Sequence, residues 1–250
     1  MHLRAGVVLI LICLWPHKAK AQSCAHALVL GLDVSLSVDA QDFALQRQGL
    51  ANALLDPAVS DAMLHMPGGH VEVAVFEWSG EFDQVILVNW TVVDSLATLL
   101  DIAQALRDRP AMDRTGRTAI GAAMLFAIEL MKQRGGCARH TLDISGDGPS
   151  NQGPAPELIR DEMNLAGFIV NALVIENNFN DPEPSASPPL GPYYRDRVIT
   201  GPAAFAELIF GFENYEDAMR RKLLRELTPT VAADRPGDID QSLLRRTGLD

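Results

Sequence analysis

Apolar residues run almost unbroken through residues 27–35 (ALVLGLDVS) and 168–175 (FIVNALVI), the pattern of parallel strands buried on both faces. Two alternating stretches, 70–79 (HVEVAVFEWS) and 82–90 (FDQVILVNW), have only Gly80 and Glu81 between them, which predicts a β-hairpin. Residues 139–145 (RHTLDIS) read as a further strand. Helical spacing fills the gaps. One helix runs from Asp39, a suitable cap, to about residue 55, with Phe43, Leu50 and Leu54 on one face and Asp56-Pro57 as its stop. Others are predicted over 95–106, over 119–132 (AIGAAMLFAIELMK), whose small residues allow close packing on a sheet, and over 156–166. Residues 177–192 (NNFNDPEPSASPPLGP) form a long Pro- and Asn-rich loop, followed by a short helix over 193–199, a last strand over 203–210 and a helix over 213–227. Strands alternating with helices predict an α/β fold: a mostly parallel sheet covered on both faces, with the hairpin adding one antiparallel edge strand.

The first 21 residues break this pattern. Arg4 is followed by an apolar run over 5–15 and then by Ala19-Lys20-Ala21, a small-x-small cleavage pattern. This is the form of a secretory signal peptide cleaved after Ala21, because the run is too short for a membrane span of about 20 residues. The expected organisation is a signal peptide over 1–21, one domain over 22–227 and a loosely ordered polar tail over 228–250. Export to a periplasmic or extracellular space changes the meaning of the cysteines. Cys13 leaves with the signal peptide, and Cys24 and Cys137 remain as either one disulfide or two separate thiols. The net charge of -11 has the wrong sign for nucleic acid or anionic membrane surfaces.

In an open parallel sheet, ligands bind beyond the carboxyl ends of the strands. Three polar clusters fall there: Asp33-Val34-Ser35-Leu36-Ser37, Thr118 at a helix start, and Ser145-Gly146-Asp147-Gly148. Individually these are ordinary caps and turns. Together, Asp33, Ser35, Ser37, Thr118 and Asp147 make an all-oxygen donor set for a hard divalent cation, Mg²⁺ first and Mn²⁺ or Ca²⁺ also, which would neutralise the repulsion between two carboxylates.

Asp33-x-Ser35-x-Ser37, the Thr118-x-x-Gly121 helix start and Asp147-Gly148 at a later strand end resemble the metal-ion-dependent adhesion site of von Willebrand factor A domains. The resemblance extends over about residues 25–227 and is nearest to an uncharacterised bacterial subfamily that carries a signal peptide. It implies a six-stranded Rossmann-like sheet of order 3-2-1-4-5-6 with one antiparallel edge strand. It also implies that Ser35 and Ser37 bind the ion directly and that Asp33, Thr118 and Asp147 do so directly or through water. One position then stays open for a carboxylate of a protein partner, which is bound and not chemically changed. In that topology the strands that follow Cys24 and Cys137 are parallel neighbours, so the two are expected to form a disulfide.

Asp143 lies inside a predicted strand, where a carboxylate needs a partner such as Arg117, Arg139 or backbone amides, or a place in the metal shell. An alternative function is a metal-dependent hydrolase or phosphotransferase with Asp33 as nucleophile. Haloacid-dehalogenase-like enzymes require a second Asp two residues on, where this chain has Ser35. No Gly-x-Ser-x-Gly elbow supports a serine hydrolase, so a non-enzymatic module is expected. A purely structural, metal-stabilised module is the other alternative. Zinc is not expected, because no His/Cys ligand cluster is visible along the chain. The 177–192 loop, with Asn177, Asp181 and Glu183, leaves a strand on the metal side and is expected to influence partner choice.

Overall fold

The computed structural model describes residues 23–109, 116–176 and 189–228, and within them the apolar runs form the middle of one sheet. Its strands are β1 (Cys24–Asp33), β2 (His70–Trp78), β3 (Gln84–Val93), β4 (Arg139–Gly146), β5 (Ile169–Glu176) and β6 (Ala206–Phe210). They lie in the order β3-β2-β1-β4-β5-β6. All neighbours are parallel except β2 and β3, which pair antiparallel as the hairpin. The expected α/β architecture, with its single antiparallel edge strand, is the observed one.

Helices cover both faces. On one, α1 (Ala40–Leu55), α2 (Pro57–Leu64), α3 (Leu96–Asp108) and α7 (Tyr215–Leu227) pack on Leu28, Leu30, Leu32, Val73 and Val75. On the other, α4 (Ile120–Lys132), α5 (Pro156–Leu165) and α6 (Leu190–Arg197) pack on Val29, Phe76, Trp78, Leu142 and Ile144. Adjacent residues of β1 thus feed opposite cores, which is why that strand is apolar from Ala27 to Leu32. Each such side chain, fully removed from water, contributes about 1.5–3 kcal/mol.

The Asp39 carboxylate caps α1 by accepting from the amides of Gln41 and Asp42, at 2.7 and 2.9 Å. Asp56-Pro57 ends α1 as expected. It also starts α2, which the sequence reading missed: the Asp56 carboxylate accepts from Ala58 N, and Pro57 occupies the first turn, where its missing N–H costs nothing. The last strand is shorter than 203–210, because Ala203 sits in a left-handed turn with φ 58°. Helix α6 begins at Leu190, so the proposed loop ends earlier than residue 192. Its remaining part, with Asn177, Asp181 and Glu183, lies outside the described residues, as do residues 1–21, expected to be a signal peptide, and the expected tail beyond Thr228. No helix among the described residues is long and apolar enough to cross a membrane.

Cys24 and Cys137 form the expected disulfide, with their Cα atoms 4.5 Å apart. A bulge makes the geometry possible. Cys24 pairs with His70 and His26 with Val71, so β1 carries one extra residue, Ala25, at this point. The extra residue turns Cys24 to the α4 side of the sheet, while Ala25 packs against the opposite core.

Asp143 is paired, although by neither expected arginine. Lys222 from α7 reaches it at 2.6 Å and reaches Glu226 at the same distance, with all three side chains at most 1% exposed. Asn171 of β5 donates to the same Glu226 oxygen at 2.7 Å. The carboxylate therefore belongs to a buried network under α7 and has no place in a metal shell.

Candidate functional site

Asp33 is the last residue of β1 and Gly146 the last of β4. These neighbouring strands deliver the Asp33–Ser37 and Asp147–Gly148 loops to one edge of the sheet. There Asp33 Oδ1 accepts from the Ser35 amide at 2.8 Å, curling the chain back so that the Ser35 and Ser37 hydroxyls lie 3.0 Å apart. Ser37 Oγ then donates to Asp147 Oδ1 at 2.6 Å, closing the two loops on each other. Asp33 and Ser35 are buried, Ser37 is exposed and Asp147 is half-buried, so the cluster is a cup with its rim in solvent. Gln46 of α1 fixes its base by donating to the Asp33 carbonyl at 2.8 Å.

Thr118 joins from the loop before α4. Its amide donates to Asn151 Oδ1 at 3.0 Å, and its carbonyl accepts from Asn151 N at 2.8 Å, which ties it to the segment following Asp147. It does not cap α4: the cap position is Ala119, without a side-chain bond, and the Ile120 amide is taken by Ser150 Oγ at 3.2 Å. Thr118 hydrogen-bonds through its backbone to this loop and, among the described contacts, to none of the other four residues through its hydroxyl. Asp33, Ser35, Ser37 and Asp147 are brought together directly, and Thr118 is brought to the same edge.

The electrostatics of the cup call for a cation. Burial, followed by the charge of Asp147, pushes the Asp33 carboxyl up to about 8, against hydrogen bonds from Ser35 and the Asp147 amide that favour its ionised form. No basic side chain is among these influences. Asp33 Oδ2 is buried and has no hydrogen-bond partner, an arrangement that costs free energy unless something else meets the oxygen. A divalent ion fits the donor set, since every available group is a carboxylate or hydroxyl oxygen.

Sequence reasoning missed Tyr194 of α6. Its ring is fully buried, its hydroxyl donates to the Gly148 carbonyl at 3.2 Å, and burial together with the charges of Asp33 and Asp147 raises its pKa. A Cβ at position 146 would come within 2.2 Å of the Tyr194 hydroxyl and 3.3 Å of Asp33 Oδ2. Gly146 is therefore the gap through which tyrosine supports the loop. Nothing in the local sequence around residue 194 signals this, because the contact depends on where α6 lands.

Residues 23–231 match the model of a family described as protein of unknown function, DUF1194. No curated protein matches the chain. Among solved structures the chain is similar to proximal thread matrix protein 1 from the mussel byssus with a zinc-occupied MIDAS motif, at 16% identity and TM-score 0.60, over 82% of this chain and 46% of that one. It is also similar to the pilus adhesin SpaC from Lactobacillus rhamnosus GG, at 13% identity and TM-score 0.57, over 83% of this chain and 31% of that one. A von Willebrand factor type A protein from Catenulispora acidiphila aligns at 13% identity and TM-score 0.55, over 82% of this chain and 43% of that one. The chain thus spans less than half the length of each of these proteins, and at such identities the likeness is one of fold. The protein has the von Willebrand factor A fold and belongs to the DUF1194 family.

Proposed function

We propose that the protein is an exported, non-enzymatic binding module that holds one divalent cation through Asp33, Ser35, Ser37, Thr118 and Asp147 and uses it to capture a carboxylate of a protein partner. The observation that carries this reading is the buried, unpartnered Asp33 Oδ2 beside Asp147. Two carboxylates and three hydroxyls on adjoining loops make a hard-ion site, with Mg²⁺ the first candidate and Mn²⁺ or Ca²⁺ next. The solvent-facing rim leaves room for an outside ligand. Adhesion and matrix proteins among the structural neighbours support the same reading, including one with zinc in its MIDAS motif. The disulfide supports export, since such bonds persist in oxidising compartments. Two apolar side chains are exposed on loops at this edge, Leu36 within the cup and Phe82 in the β2–β3 turn, whose neighbour Glu81 bonds to Gln152. They would flank the captured carboxylate.

Asp33→Ala separates the readings. The variant should fold, lose the Mg²⁺- or Mn²⁺-dependent rise in melting temperature, and lose chelator-sensitive partner capture from the export compartment. A variant that keeps chelator-sensitive capture would remove Asp33 from the set that holds the cation. Loss of folding alone, with capture by the wild type indifferent to chelator, would make the metal structural.

A further inference from the structure

The opposite end of the sheet holds a second group of metal-ligating side chains, with the reverse chemistry. The bulge at Ala25 brings Cys24 to the α4 face beside His70 and Glu72, which share that face of β2 two residues apart. The ligand atoms of Cys24, His70 and Glu72 all lie within 4.8 Å of one another. Cys137 joins them through the disulfide. Three separate segments contribute to this group, so no local spacing along the chain could have revealed it.

While the disulfide is intact, both sulfurs are committed and the group is not a site. We propose that reduction of Cys24–Cys137 converts it into a zinc-class site of two thiolates, the His70 imidazole and one Glu72 oxygen. A dithiol reductant supplies the two electrons and two protons that turn the disulfide into two thiols, and is itself oxidised to a disulfide. The arriving Zn²⁺ then displaces the two thiol protons to solvent.

Three observations carry the proposal. First, backbone bonds independent of the disulfide hold the ligands' segments: Ala138 N donates to Cys24 O at 3.0 Å, Cys137 N to Arg134 O at 2.9 Å, and His70 N to Ser23 O at 2.9 Å. Second, the donor set is that of a four-coordinate zinc site, with ligand bonds of about 2.0–2.3 Å, so the side chains need only draw in around the ion. Third, the outer contacts suit it. His70 Nε2 and Glu72 Oε1 are already 3.0 Å apart, while Arg134 holds the other Glu72 oxygen at 2.6 Å. With Arg134 included, two thiolates and a carboxylate balance the dication and the guanidinium. A basic group orienting a ligating carboxylate is the kind of support that tunes metal sites.

The test is Co²⁺ titration of the mature protein, oxidised and after reduction, followed by absorbance. Only a thiolate site gives a near-ultraviolet sulfur-to-cobalt band with intense tetrahedral visible bands; an all-oxygen site at the other edge gives neither. The reduced protein should bind one equivalent with these bands, and the oxidised protein should show none. His70→Ala and Glu72→Gln keep both cysteines and should each weaken binding tenfold or more, whereas Zn²⁺ should slow iodoacetamide labelling of both cysteines at least tenfold. If the reduced chain loosens, Zn²⁺ should restore its circular dichroism, since binding is then coupled to folding. A folded reduced protein without the bands, an unfolded one that Zn²⁺ does not rescue, or His70→Ala and Glu72→Gln variants that bind as tightly as wild type would each overturn the proposal.

Discussion

Ser37 donates its hydroxyl proton to Asp147 across 2.6 Å, joining the loop that leaves β1 to the loop that leaves β4. Because Ser37 is exposed, the bond is a weak contributor to folding, and Ser37→Ala should cost the metal-free protein no more than about 0.5–1.5 kcal/mol. The same substitution removes a proposed metal ligand and the latch that positions another. Calorimetric titration with Mn²⁺ should show affinity falling tenfold or more while urea denaturation of the metal-free protein is nearly unchanged. Equal affinity in the variant would remove Ser37 from the donor set.

Gly146 and Tyr194 make a sharper structural test. A methyl group at residue 146 collides with the Tyr194 hydroxyl, so Gly146→Ala should destabilise the fold by about 1–3 kcal/mol, the usual cost of overpacking. Tyr194→Phe removes the colliding oxygen and loses only its bond to Gly148. The double variant should therefore be more stable than the sum of the two single effects, a coupling that a double-mutant cycle measures directly. Strict additivity would mean that the backbone, and not the tyrosine, resists the methyl group.

The sheet was legible because strands buried between two layers of helices are apolar along most of their length, and β1 from Ala27 to Leu32 and β5 apart from Asn171 and its terminal Glu176 are. The meeting of Asp33, Ser35, Ser37 and Asp147 at one edge was legible because the strand order alone brings the ends of β1 and β4 together. What escaped has a common cause. Helix α2 was hidden because Asp56-Pro57 serves both as a stop and as a start. Tyr194, Lys222 and the Cys24–His70–Glu72 group act across long sequence separations, and their partners are set by where a helix lands or where one extra residue turns a strand. Asp143 announced that it needed a partner, and only packing could say that the partner was on α7.

Asp143 also predicts a pH dependence of stability. Burial first, and the Glu226 charge second, push its carboxyl up to about 7, against the opposing pull of Lys222. The folded state then holds a proton that the unfolded chain, with an ordinary carboxyl near 3.8, has released. A folded pKa raised above the unfolded one gives stability that is present at acid pH and lost as pH rises from about 4 to about 7. Asp143→Asn removes this loss, so its stability relative to wild type should grow across that window, each unit of displacement being worth about 1.4 kcal/mol. Urea denaturation at pH 5 and pH 8 measures the difference, and a gap independent of pH would show that the carboxyl keeps an ordinary value in the fold.

Lys222 is the cation that Asp143 and Glu226 share, and it is fully buried. Lys222→Met keeps most of the volume and leaves two carboxylates facing each other without a counter-charge. Removing one partner of a buried ion pair typically costs about 3–5 kcal/mol, because the charge left behind is neither solvated nor matched. The size of the loss should depend on pH in a definite direction. At pH 8 the Asp143 carboxyl would have to be ionised beside Glu226 or keep its proton at a cost, whereas at pH 5 its protonation relieves much of the repulsion. The variant should therefore be most destabilised at the alkaline end and least at the acid end, and adding Asp143→Asn should recover part of the alkaline loss. A deficit that is the same at both pH values and unaffected by Asp143→Asn would assign the role of Lys222 to the packing of its stem under α7, where its ammonium also lies 5.1 Å from the Phe205 ring centre.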